Sequence, residues 1–277
     1  MYYYRISIRL PPKSCKRLAK LHFSLFTHNL QKIFTFALYN NLHISNLLWK
    51  EAFYLQFRHE IKHEINHHDM LILRQRLQAV MKPDSNAVNG KYEIRSLYFD
   101  NLNDKALREK LNGVNIREKY RIRLYNNDTS MINLERKFKH GGLGYKESTT
   151  LTPEQAQAIA NGDVSWMSTS TDEIILGFYT RIRNEGLTAK VIVDYTREPF
   201  VFAPGNVRVT LDYNIRTGLA CTDFLNPDCV TIPIKDSPSI LEVKWDNYLP
   251  NVIRDIVQLD GRRNAAFSKY AVCRMYD

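Results

Sequence analysis

From residue 55 onward, apolar and polar positions alternate with a period of two over short stretches, the pattern of half-buried strands. It predicts strands over Phe57–Ile65, Tyr92–Phe99, Lys119–Tyr125, Met131–Lys139, Lys146–Leu151, Lys190–Glu198, Val207–Tyr213, Val230–Lys235 and Ile240–Asp246. Asn126-Asn127-Asp128 and Gly141-Gly142-Leu143-Gly144 lie between adjacent strands and read as hairpin turns. Helical spacing takes over at Met70–Met81, where Asn66 with Asp69 three residues on marks a capped start and Lys82-Pro83-Asp84 marks the stop. Further helices are expected at Asn103–Leu111, Pro153–Ala160, Asp172–Glu185 and Pro250–Leu259. Many strands joined by short turns predict an α+β fold: an antiparallel closed β-barrel with peripheral helices.

On five of these strands the alternation separates charge from apolar bulk. Arg58, Glu60, Lys62 and Glu64 oppose Ile61 and Ile65; Lys119, Arg121 and Arg123 oppose Tyr120, Ile122 and Leu124. Glu135, Lys137 and Lys139 oppose Leu134 and Phe138; Arg208 and Asp212 oppose Val207, Val209 and Leu211; Glu242, Lys244 and Asp246 oppose Leu241, Val243 and Trp245. For one strand, a solvated outer face explains this. For the set, large apolar faces suited to packing external helices would leave the charged faces to line the lumen. Two like charges about 6 Å apart repel by roughly 3 kcal/mol at an effective dielectric near 20. A cation-rich lumen is therefore tolerable only if water-filled and built for a polyanion. Guanidinium and ammonium groups suit phosphate oxygens, and the minority carboxylates suit Mg²⁺ or Mn²⁺.

Bulk charge adds little to this picture. The net charge is +10, but eight basic residues and no acid lie in residues 1–50, which leaves the remainder nearly balanced. Residues 1–54 form a basic N-terminal extension without a strand or helix period. It reads either as a surface that touches a membrane or a partner, or as a segment outside the fold that arises from an upstream start codon. No stretch reaches the roughly 20 apolar residues of a membrane span. Four cysteines without a C-x-x-C pair predict neither a zinc site nor a disulfide framework, and point to a reducing cytoplasm. His59, His63 and His67 are four apart, but on a strand that spacing does not make a metal pair, and Trp166 and Trp245 read as packing residues. Aromatic residues do not interleave with the inward bases of these strands, which argues against nucleic acid.

Arg58-His59-Glu60-Ile61-Lys62, Ser96-Leu97-Tyr98-Phe99-Asp100-Asn101, Lys119-Tyr120-Arg121-Ile122-Arg123, Leu134-Glu135-Arg136-Lys137 and Leu241-Glu242-Val243-Lys244 together resemble the VTC domain. This is the catalytic domain of the vacuolar transporter chaperone polyphosphate polymerase, within the triphosphate tunnel metalloenzymes of the CYTH-like superfamily. The resemblance spans Gln56 to Tyr270 and sets a catalytic domain at 55–277. It implies a tunnel that transfers the γ-phosphoryl group of ATP to inorganic polyphosphate, with Mn²⁺ or Mg²⁺. Lys62, Arg121, Arg123, Lys137 and Arg208 correspond to the catalytic phosphate-binding bases. Lys146, Arg197 and Lys269 correspond to further substrate contacts, on the resemblance alone, and Glu242 to the metal carboxylate, with Glu60 as a helper.

The sequence departs from the pattern in two places. Arg58 replaces the first acid of the E-x-E-x-K motif, and Ala266 stands where a second Lys is favoured. The phosphate-sensing domain and the membrane helices of the eukaryotic complex have no counterpart, so a peripheral position at the inner membrane face would need a membrane-protein partner. The same tunnel with water as acceptor would be a triphosphatase or polyphosphatase, and without turnover a polyphosphate or nucleotide sensor.

Overall fold

A computed structural model describes residues 58–236, 238–259, 261 and 266–276. The expectations for residues 1–54 lie outside the described residues. The described strands are β1 (His59–Ile65), β2 (Lys82–Pro83), β3 (Tyr92–Asp100), β4 (Arg117–Tyr125), β5 (Asp128–His140), β6 (Leu143–Leu151), β7 (Thr188–Phe202), β8 (Val207–Thr217), β9 (Ile232–Pro233) and β10 (Ser239–Trp245). They form one antiparallel sheet in the order β1-β10-β8-β7-β3-β4-β5-β6, with β2 on β7 and β9 on β8. The sheet curls until its edge strands meet. Arg58 and Gly144 bridge β1 to β6, with Arg58 N–H donating to Gly144 at 3.0 Å and Gly144 N–H donating back at 3.3 Å. Among the described residues this bridge is the seam, so the barrel is open where it was expected to be continuously closed.

Local chemistry explains the turns and helix ends. Asn126 and Asn127 both have φ near +54°, as do Gly141 and Gly142 in the positive range, which gives the hairpin geometry that matches the strand twist. Helix α1 (His67–Val80) starts from a reciprocal capping box between Asn66 and Asp69. Helix α3 (Pro153–Ala160) repeats the device with Thr152 and Gln155 and has Pro at its start. Between them lies α2 (Lys105–Leu111), and after them α4 (Glu173–Glu185), whose N-cap Asp172 accepts from Ile174 and Ile175 and which ends on Gly186 at φ +69°. Helices α5 (Asn251–Val257) and α6 (Lys269–Arg274) complete the set, and α6 was not foreseen. The strand expected over Val230–Lys235 shrinks to the exposed pair Ile232–Pro233.

Helices cover the barrel on two sides. Ile122, Leu134, Leu97 and Phe99 pack under Ala156, Ile159, Ile175 and Phe178 of α3 and α4. Val207, Val209, Leu211, Leu241 and Val243 pack under Leu73 and Leu77 of α1 and Ile253 of α5. These apolar residues are the odd or even partners of the charged positions, so burying them turns the charges inward. β3 and β7 do not follow this rule, because both of their faces are buried. Ile94, Tyr98, Val191, Val193 and Tyr195 meet Tyr270 and Cys273 of α6 in a third apolar cluster that covers one end of the lumen. Tyr270 also donates to Asp100 at 2.7 Å, tying α6 to the end of β3.

Two departures concern side chains. Cys221 and Cys229, expected to be scattered, have their sulfurs 2.9 Å apart in the loop after β8. Glu64, grouped with Glu60 and Lys62 by alternation, borders a separate surface cavity beside α1.

Phe178 is fully buried, stacked on Tyr120 at 4.7 Å and edge-on to Phe99 at 4.9 Å. Phe178→Ala is expected to destabilise the domain by about 3–5 kcal/mol, read as a lower midpoint in urea unfolding.

Candidate active site

The curled sheet encloses a cavity of about 550 Å³. All ten residues singled out from the sequence line it: Glu60, Lys62, Arg121, Arg123, Lys137, Lys146, Arg197, Arg208, Glu242 and Lys269. Fourteen Lys and Arg residues line the cavity against four Glu, an excess that a water-filled site can hold only in readiness for anions.

The carboxylates are the nodes of an ion-pair lattice. Glu60 accepts from Lys137 Nζ at 2.8 Å and lies 3.3 Å from Lys62. Glu242, only 4% exposed, faces Lys62 at 3.1 Å and pairs closely with Lys244. The register that sets Lys62 opposite Glu242 and Glu60 opposite Lys244 builds this group from the two adjacent strands β1 and β10. Glu135 accepts from Arg121 Nε at 2.6 Å and from Lys146 Nζ at 2.8 Å. Arg197 donates both Nε and Nη2 to Asp212, at 2.6 and 2.7 Å, and Lys269 Nζ joins them at 2.5 Å. Arg123 donates to Ser96 Oγ and to Tyr195 OH, each at 3.0 Å, and Arg208 pairs with Asp84 at 2.8 Å near the rim.

These neighbours set the protonation states. Burial would raise the Glu60 and Glu242 carboxyls. Lys137 with Lys62 and Lys244 overrides it at Glu60, and Lys244 with Lys62 and Arg197 at Glu242, holding both well below the usual range. Glu135 is held down likewise by Arg121, Arg123 and Lys146. Asp212 falls to about 2 because Arg197 and Lys269 outweigh its burial. Burial lowers Lys137, Lys139 and Lys244. Burial together with Lys137 and Arg121 brings Lys119 down to about 7, against the pull of Tyr98. Burial opposes ionisation of the Tyr98 phenol, but Arg121, Lys119 and Arg123 bring it down to about 7 as well.

Several lining residues were not in the candidate set. Lys119, Glu135, Lys139 and Lys244 sit on the faces that alternation had already turned inward. Tyr195 shares a face with Arg197, two residues on, which was a usable signal. Alternation gave none for Tyr98, because β3 does not separate into a charged face and an apolar face. Aromatic rings do interleave with the inward bases, contrary to expectation. Lys119 lies 5.0 Å from the Tyr98 ring, Arg123 lies 5.9 Å from Tyr125, and Lys269 lies 4.5 Å from Tyr195. Each ring is thus engaged by a cation. Arg58 borders the cavity and pairs with Asp246 at 2.8 Å. His59 stacks on Trp245 at 5.2 Å, a packing role for both, and the described residues contain no cluster of three or more His, Cys, Asp or Glu able to hold a metal ion.

The domain is an antiparallel tunnel barrel with a cation-lined lumen. The VTC domain family matches residues 57–276, and the chain belongs to that family. No curated protein matches it significantly. Among solved structures it is similar to a proposed adenylate cyclase of Bacillus halodurans, with 13% identity and a TM-score of 0.40 over 68% of this chain and 81% of that one. It is also similar to the PH1819 protein of Pyrococcus horikoshii OT3, with 12% identity and a TM-score of 0.37 over 72% and 84% of the two chains. No helix among the described residues is long and apolar enough to cross a membrane.

Tyr98 and Lys119 release their protons at lower pH when folded than their ordinary values of 10.0 and 10.5. Between about pH 7 and 10 the unfolded chain therefore holds more protons, and stability contributed by this pair rises with pH. Ultraviolet difference titration is expected to reveal a phenolate step near pH 7 that Tyr98→Phe lacks.

Proposed function

We propose that this tunnel binds the triphosphate of ATP and transfers its γ-phosphoryl group to the end of an inorganic polyphosphate chain. The observation that carries the reading is the convergence of Lys62, Arg121, Arg123, Lys137, Arg197 and Arg208 from five different strands on one cavity. Cations fixed by a rigid sheet pay no reorganisation when phosphate charge develops, which is how electrostatic catalysis gains its effect. No protein nucleophile is required. The terminal oxygen of the acceptor attacks the γ-phosphorus in line, the bond to the bridging β–γ oxygen breaks, and ADP leaves with that oxygen.

Each side chain has a part in this scheme. Arg121 and Arg123, adjacent on the inward face of β4, present forked donors to phosphate oxygens. Lys62, Lys137 and Lys146 supply point charge that can follow the chain as it moves, and Lys269 and Arg197 hold the end covered by α6. Two convergent carboxylates, Glu242 and Glu60, are hard oxygen donors of the kind Mg²⁺ or Mn²⁺ takes alongside substrate phosphates. That donor set fits such an ion. When bound, the ion would neutralise charge on the phosphate oxygens.

Arg123→Ala and Lys137→Ala are each expected to lower ATP turnover by about 10²–10³-fold, with the circular dichroism spectrum unchanged. Incubation with ATP and Mn²⁺, followed by gel analysis, tests the acceptor. Long polyphosphate supports the proposal, whereas free phosphate alone replaces transfer by hydrolysis. Full activity of both variants would remove the lumen from the chemistry.

A further inference from the structure

We infer that Glu60 and Glu242 are closed to a free divalent ion in the empty tunnel and open to one only when a phosphate chain draws their lysines away. The metal then enters with the polyanion or after it, never before. The inference rests on reading the tunnel as a triphosphate site and adds the order of binding.

Each carboxylate oxygen of the pair has its own cationic neighbours. On Glu60, Oε1 faces Lys62 at 3.3 Å and Lys139 at 3.6 Å, while Oε2 faces Lys137 at 2.8 Å and Lys244 at 3.8 Å. On Glu242, Oε2 faces Lys62 at 3.1 Å and Arg197 at 3.9 Å, and Oε1 is held by Lys244. Every carboxylate oxygen of the pair is therefore covered by a cation. A dication arriving alone would have to displace an ammonium group and then sit among those that remain, with like charge on all sides. Both carboxylates are largely shielded from water, so screening by solvent relieves little of that repulsion.

The protein also brings too few ligands. Mg²⁺ and Mn²⁺ want octahedral oxygen coordination. Two carboxylates supply part of it, and Arg58, two residues before Glu60 and bordering the same cavity, brings a cation rather than a ligand and pairs with Asp246. A phosphate chain changes both terms together. Its oxygens accept from Lys62, Lys137, Lys139 and Lys244, which frees lone pairs on Glu60 and Glu242, and they also complete the coordination sphere. Binding of the two ligands is thus positively coupled, and the coupling is reciprocal.

The test uses the whole chain and inorganic tripolyphosphate. Calorimetric titration in EDTA is expected to detect tripolyphosphate binding without metal. Electron paramagnetic resonance is expected to leave Mn²⁺ free when the protein alone is added. Water-proton relaxation is expected to report a ternary complex when protein meets Mn²⁺ with tripolyphosphate, its affinity for Mn²⁺ about ten- to a hundredfold above that of protein alone. Glu242→Gln is expected to abolish the relaxation signal while it retains tripolyphosphate binding in EDTA. Mn²⁺ binding to protein alone at undiminished affinity, lost in Glu242→Gln, overturns the order proposed here but leaves the phosphate tunnel standing. Tripolyphosphate that binds only after Mn²⁺ overturns it as well. Tripolyphosphate that binds neither with nor without metal removes the tunnel reading and this inference together.

Discussion

Charge balance inside a confined lumen governs this protein. A cavity lined by far more cations than carboxylates is costly to hold together, and the lattice of ion pairs makes it tolerable. Glu60, Glu242 and Glu135 each bind two or more cations, and Asp212 clamps Arg197 and Lys269 from behind. Removing any one of these carboxylates would leave its several cations facing one another without counter-charge, the expensive case for internal charge. The carboxylates therefore hold the cations in place while leaving a surplus to meet an anionic ligand.

The sheet can sustain this only because its other face is dry. Helices α3 and α4 on one side, and α1 with α5 on the other, bury the apolar partners of the inward charges. Rotating any of these strands would put Ile122, Leu134, Val209 or Val243 into the lumen and a Lys or Arg into the core. The rigidity of the outer packing thus becomes the precision of the inner array. At the end of the barrel under α6 the logic changes. There β3 and β7 give Tyr98, Tyr195 and Arg197 to the lumen, and Tyr98 stacks on Tyr270 at 5.0 Å with the Arg121 guanidinium over its ring. A phenol in that position sits beside Arg121 and Lys119 and shares their field, so charge on this part of the wall responds to pH near neutrality.

Membership of the VTC domain family gives this architecture its context. The functional reading depends less on any single motif than on the number of strands that contribute a cation to the same space. Arg58 shows how one side chain sets the charge of a site. It places a cation at the cavity wall two residues before Glu60 and engages Asp246, while Glu60 and Glu242 are shared among lysines.

Residues two apart on β1, β4, β5, β8 and β10 declared from sequence which charges share a face, because strand geometry has a strict period. That rule, with the capping and turn residues Asn66, Asn126-Asn127 and Gly141-Gly142, made the antiparallel barrel and most of the lumen legible in advance. Lys146, Arg197 and Lys269 were reached through family likeness, since Arg197 lies on a strand buried on both faces and Lys269 begins a helix that no apolar period announced. Tyr98 was not singled out as a lumen residue, because β3 mixes apolar and polar residues on both faces and so gives no hint of which side will meet the cavity. The seam at Arg58 and Gly144, the pairing of Lys62 with Glu242 and the seating of α6 belong to tertiary structure alone. Each depends on residues far apart in the chain being brought together by the curl of the sheet, and local sequence carries no record of that curvature.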